Sequence, residues 1–109
     1  MANETQSIVI ANTTVATTGD AEAMARELIG QSIAACVQID GPITSHYRWA
    51  GEVQQSTEFR LTIKTSMATW PKLKERLARI HPYDEPEILM TVVDDASDGY
   101  RQWVIDQTT

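Results

Sequence analysis

Between Ile33 and Thr65 the chain reads as two extended runs joined by one turn, and this stretch restricts the possible folds more than any other. In the second run Phe59, Leu61 and Ile63 fall on one face, and Glu58, Arg60, Thr62 and Lys64 on the other. A period of two is the mark of a strand with one buried face. The first run, Ile33-Ala-Ala-Cys-Val-Gln-Ile39, is short, apolar and rich in β-branched residues, and it resumes at Ile43-Thr-Ser-His-Tyr-Arg-Trp49. Between the two parts stands Asp40-Gly41-Pro42, which predicts a bend or bulge because proline cannot donate to a ladder. Ala50-Gly51-Glu52 is a turn signal. Residues 33 to 65 therefore predict one long, bent β-hairpin with its tip near Gly51, and its arms are longer than a small domain needs.

The flanks supply the remaining elements. Ile8-Val-Ile-Ala11 predicts a strand, followed by a polar loop from Asn12 to Asp20. Ala21, Met24, Ala25, Leu28 and Ile29 make one stripe of a helix that Thr18 or Asp20 can cap. Trp70, Leu73, Leu77 and Ile80 predict a second, amphipathic helix. Thr69 is its best N-cap, because Pro71 is tolerated in a first turn, and His81-Pro82 ends it. Ile88-Leu-Met-Thr-Val-Val93 has the composition of a central strand, apolar on both faces, and Ser97 caps a short final helix carrying Tyr100, Trp103 and Val104 on one side.

The order β-α-β-β-α-β with an added helix predicts an α+β, ferredoxin-like sandwich with two helices on one face of an antiparallel sheet. The 109 residues fit a single domain, 1–109. A chain this size buries roughly 60% or more of its unfolded surface, enough for a core without disulfide staples, and the lone Cys36 cannot pair within the chain. One short helix cannot cover the second sheet face, so self-association is expected. A net charge of −6 argues against nucleic acid as a partner. No run is long enough for a signal core or a membrane span, so a cytoplasmic protein with no membrane partner is expected.

Chemistry concentrates in the connector His81-Pro82-Tyr83-Asp84-Glu85-Pro86-Glu87-Ile88, whose prolines hold His81 and Glu85 extended. His81, Asp84 and Glu87 are the candidate metal ligands, offering mixed nitrogen and oxygen donors. A solvated loop with a histidine at a helix C-terminus is the competing reading. Cys36, inside an apolar strand, reads as a buried inert thiol. Ser45, His46 and Asp40 lack the elbow of a nucleophilic serine, and the loop from Asn12 to Thr18 lacks the groups of a phosphate cradle, so no catalytic role is expected. Tyr47, Trp49, Tyr83, Tyr100 and Trp103 lie on peripheral elements, which favours packing between subunits over a ligand platform.

Taken together, Ala34-Ala-Cys-Val37, Ser45, Tyr47, Trp49 and Gly51, Glu58, Lys64-Thr65, the connector, and Tyr100 with Trp103 resemble the CutA divalent-cation tolerance family from about Ile8 to the C-terminus. The resemblance implies a homotrimer with long hairpins reaching between subunits, related in architecture to PII signalling proteins. It also implies a non-enzymatic link to copper or other divalent ions. His81, Tyr83 and Glu87 match the family's connector, while Asp84 shortens its usual glutamate. Some relatives place a proposed copper-binding cysteine where Asn12-Thr13-Thr14 stands, so a metal in this chain would meet oxygen and nitrogen donors. A PII-like regulatory module, with a small anionic ligand between subunits and a protein partner at the hairpins, is the alternative; Arg48, Lys64 and the basic face of the second helix motivate it.

Overall fold

The computed structural model describes residues 7–108. Along them run β1 (Ile8–Val15), α1 (Thr18–Gly30), β2 (Cys36–Trp49), β3 (Glu52–Ser66), α2 (Trp70–Ile80), β4 (Leu89–Val92) and α3 (Asp98–Gln107). The sheet order is β2-β3-β1-β4 with antiparallel pairing throughout. This is the α+β, ferredoxin-like arrangement with an extra C-terminal helix and a long hairpin.

The core lies between one sheet face and the first two helices. Ala11 and Val15 of β1, and Leu61 and Ile63 of β3, pack with Ala21, Met24 and Leu28 of α1 and Leu73 and Leu77 of α2. Each fully buried leucine contributes about 1.5–3 kcal/mol. An exposed ion pair such as Arg79–Glu75 at 3.0 Å contributes about 1 kcal/mol or less. The apolar layer, not surface charge, holds the fold.

Helix boundaries follow local hydrogen bonding. Thr17 caps α1, its hydroxyl accepting from the Asp20 N–H at 3.1 Å, so the helix starts ahead of Ala21 and neither Thr18 nor Asp20 is the cap. The N–H groups of Ile33 and Ala34 both donate to Leu28 O, at 3.0 and 3.2 Å. That ties them to the end of α1, and β2 begins only at Cys36, which is half-buried at the strand's first position. Thr69 is the N-cap of α2, as expected, but its hydroxyl meets Ser66 Oγ at 2.8 Å and makes no capping bond.

The hairpin closes on Trp49 opposite Glu52, with φ of 51° at Ala50 and 81° at Gly51. Positive φ at both central residues gives the turn the twist its strands need. The predicted irregularity lies between Asp40 and Ile43, where the register shifts. Pairing of β3 with β1 ends at Phe59 opposite Val15, so residues 52–58 run on with β2 alone.

β4 departs from its composition. The run 88–93 reads as a central strand, yet β4 is an edge strand of four residues, because β1 stands between it and β3. Leu89 is consequently 58% exposed and Val92 is exposed as well. Tyr47, Trp49, Tyr100 and Trp103 are also exposed in the protomer. α3 buries Val104, and its end is tied to β3 through Thr108 Oγ1, 3.0 Å from Ser66 Oγ. No helix among the described residues is long and apolar enough to cross a membrane.

Candidate functional site at the connector

α2 stops where Pro82 forces its predecessor out of the helical region. His81 is extended, with φ −69° and ψ 134°, and its backbone N–H closes the helix on Leu77 O at 3.0 Å. The side chain therefore turns back against the end of β1, where it is 8% exposed. His81 Nε2 lies 2.9 Å from Thr13 Oγ1 and 3.0 Å from Thr14 O, and the Tyr83 N–H donates to Nδ1 at 3.1 Å. A carbonyl only accepts and an amide N–H only donates, so these partners assign the proton to Nε2 and leave Nδ1 an acceptor. Burial pulls the imidazole's pKa below its usual 6.5; the Thr14 carbonyl and the charges of Glu58 and Asp20 oppose it without reversing it.

Tyr83 follows from the same turn. Its ring sits 5.0 Å from that of His81, tilted by 54°. Its hydroxyl donates to Glu58 Oε2 at 2.8 Å. Burial first, then the bond to Glu58 and the neighbouring negative charge, raise the phenol well above its ordinary value. Glu58 itself is 8% exposed on β3, opposite Ile43. Burial pushes its carboxyl up, but hydrogen bonds from Ser45, Tyr83 and Thr14 and the nearness of His81 outweigh this and hold it below the usual 4.5. At neutral pH the constellation is thus an ionised carboxylate, a protonated phenol and a neutral ring. It joins β1, β2, β3 and the connector.

The expected metal ligands are distributed differently. His81 is buried in this network, whereas Asp84 and Glu87 are exposed on the connector. Among the described residues no group of three or more histidine, cysteine, aspartate or glutamate side chains converges where it could hold an ion. The protomer does not bring the three to one centre. A cleft nearby, between α1 and the end of α2, is lined by Asp20, Met24, Glu27, Ile80 and Pro82, and Glu27 also pairs with Arg76 of α2 at 3.8 Å.

In sequence, Glu58 reads as a solvent-facing residue of an alternating strand, with nothing to connect it to Tyr83, Ser45 or Thr14. The available signal is indirect. Glu58 sits beside the Asp40-Gly41-Pro42 irregularity and is one of the residues that carry the family resemblance, but the contact with Tyr83 spans 25 residues.

Comparison with known proteins agrees with this architecture. The family described as CutA1 divalent ion tolerance protein matches residues 9–107. A divalent-cation tolerance protein CutA of Thermus thermophilus is 40% identical over 88 residues, covering 81% of this chain and 85% of the relative. Its counterpart in Pyrococcus horikoshii is 32% identical over 101 residues, covering 93% of this chain and 98% of the relative. The crystal structure of CutA1 from Oryza sativa superposes with a TM-score of 0.92 at 30% identity, covering 98% of each chain. The chain belongs to the CutA1 divalent ion tolerance family.

Proposed function

We propose that this protein is a non-catalytic, cytoplasmic divalent-cation tolerance protein that works as a homotrimer of single-domain protomers and contacts copper or another divalent ion at its connector. Family membership across residues 9–107 is the observation that carries the reading. The metal half is supported by the ligand types at the connector, where the carboxylates of Asp84 and Glu87 are exposed. His81, the third candidate there, reaches an ion only by giving up bonds it already makes. The trimer half is supported by apolar surface at strand ends and edges: Leu89 and Val92 on β4, Trp49 and Val53 at the hairpin tip.

Two measurements test the halves separately. Sedimentation of the purified protein is expected to give about three times the 12.2 kDa chain mass, and a stable monomer refutes the trimer. Calorimetric titration with copper(II) and zinc(II) is expected to show binding tighter than about millimolar, weakened about tenfold or more by the double substitution Asp84→Asn and Glu87→Gln. A flat titration removes the metal half.

A PII-like regulatory module is the second reading, favoured by the projecting hairpin with its exposed Tyr47 and Trp49, a shape suited to a protein partner. A thermal-shift screen of anionic metabolites and a pull-down with the trimer separate it from the first. Finding neither ligand nor partner leaves the first reading standing.

A further inference from the structure

A divalent ion bound by histidine needs a ring nitrogen with a free lone pair directed at open space, while the other nitrogen is normally steadied by a hydrogen bond. His81 satisfies the second condition twice over and leaves nothing for the first. Nδ1 is taken by the Tyr83 N–H at 3.1 Å. Nε2 carries the proton and faces Thr13 Oγ1 and the Thr14 carbonyl, at 2.9 and 3.0 Å. The ring is buried among these partners.

Either route to coordination dismantles the network. An ion at Nδ1 displaces the Tyr83 amide and leaves a half-buried donor without its partner. An ion at Nε2 moves the proton to Nδ1, where it confronts the Tyr83 N–H donor to donor, and leaves the Thr14 carbonyl without its hydrogen bond. The imidazole that the family's link to divalent ions makes the natural ligand therefore does not fit that role in this chain.

We infer that His81 is a positioning residue and not a metal ligand: its ring clamps the connector to the end of β1 and so places the Tyr83 hydroxyl on Glu58. The clamp works through adjacent links. The ring accepts from the Tyr83 backbone, the Tyr83 ring packs against it at 5.0 Å, and the Tyr83 hydroxyl reaches Glu58 Oε2 at 2.8 Å. This inference refines the metal half of the proposed function and rests on it.

The test uses the intact protein labelled with ¹⁵N, long-range ¹H–¹⁵N spectra of its two imidazoles, and zinc(II) as the only added ion. The His81 signals are expected to report the Nε2-protonated tautomer and to stay in place up to saturating zinc. Movement of either His81 nitrogen to a ligated position overturns the inference. Calorimetry on the same sample reports independently whether zinc binds. Absent heat removes the metal half of the function, while a shifted ring with heat removes only the positioning role of His81.

The positioning role has its own readout. In a His81→Ala variant the Tyr83 ring and Glu58 carboxyl NMR resonances are expected to shift as the hydroxyl leaves Glu58, with zinc affinity changed by less than about twofold. A folded variant whose Tyr83 and Glu58 resonances are unmoved, or whose zinc affinity falls about tenfold, overturns the assignment. Should the variant not fold, the ring spectra of the parent protein decide.

Discussion

The Tyr83 hydroxyl donates to Glu58 Oε2 at 2.8 Å, joining the connector to the root of the long hairpin. This places a buried, ionised carboxylate under a phenol at the point where β3 leaves β1 and continues with β2 alone. The neighbours that supply its other donors, Ser45 and Thr14, come from β2 and β1. One side chain thus senses three strands and the connector.

Tyr83→Phe removes that donor without changing ring volume. Glu58 then keeps its charge with one hydrogen bond fewer, which costs about 1–3 kcal/mol. Urea denaturation of parent and variant checks the figure. A difference below about 0.5 kcal/mol contradicts a strong bond at this position.

Acid should weaken the fold in two steps. The folded pKa of His81 lies below its unfolded value near 6.5, so the unfolded state takes up a proton first, and stability is lost as pH falls from that value through the folded one. Glu58 adds a second loss below its unfolded value of about 4.5, again because its folded pKa is depressed. Denaturation midpoints measured from about pH 7.5 to about pH 5.5 are expected to fall in the parent and to fall less in a His81→Gln variant. Equal slopes in the two proteins count against a buried neutral ring.

Gly41 and Gly30 should respond in opposite directions to alanine. Gly41 has φ of 149°, and a Cβ there would lie 2.6 Å from Phe59 Cδ1 and 3.0 Å from Glu58 O, so Gly41→Ala costs about 1–3 kcal/mol. At Gly30 a Cβ meets nothing within 4 Å, and Gly30→Ala gains about 0.4–1 kcal/mol by restricting the unfolded chain. Paired thermal melts read both signs at once.

Leu89→Lys tests the proposed assembly. Leu89 is 58% exposed on the edge strand, so the change costs the isolated protomer little. Its ammonium would be buried unpaired wherever β4 packs against another copy. Sedimentation is expected to move toward the mass of one chain. An undisturbed trimer places that interface elsewhere.

Most of the architecture is legible from residues close together in sequence. Alternation from Glu58 to Lys64, the stripe through Leu73 and Leu77, and the prolines at 82 and 86 each act through neighbouring dihedrals and local faces. They specify the element types, the long hairpin and its irregularity at Asp40-Gly41-Pro42. The connector's importance is visible in the same way. Which partners its side chains take is a different matter: His81 meets Thr13 and Thr14 from the far end of the chain, 68 and 67 residues away, and only the folded chain brings them together. Tertiary contacts likewise decide that Glu58 is buried although its strand pattern reads as exposed, and the strand order places β4 at the edge although its composition reads as central. Sequence alone determined the local periodicities, because backbone sterics and side-chain faces repeat within a few residues. Tertiary structure decided which polar groups lose water together, because desolvation and hydrogen bonding depend on contacts the chain makes only once folded.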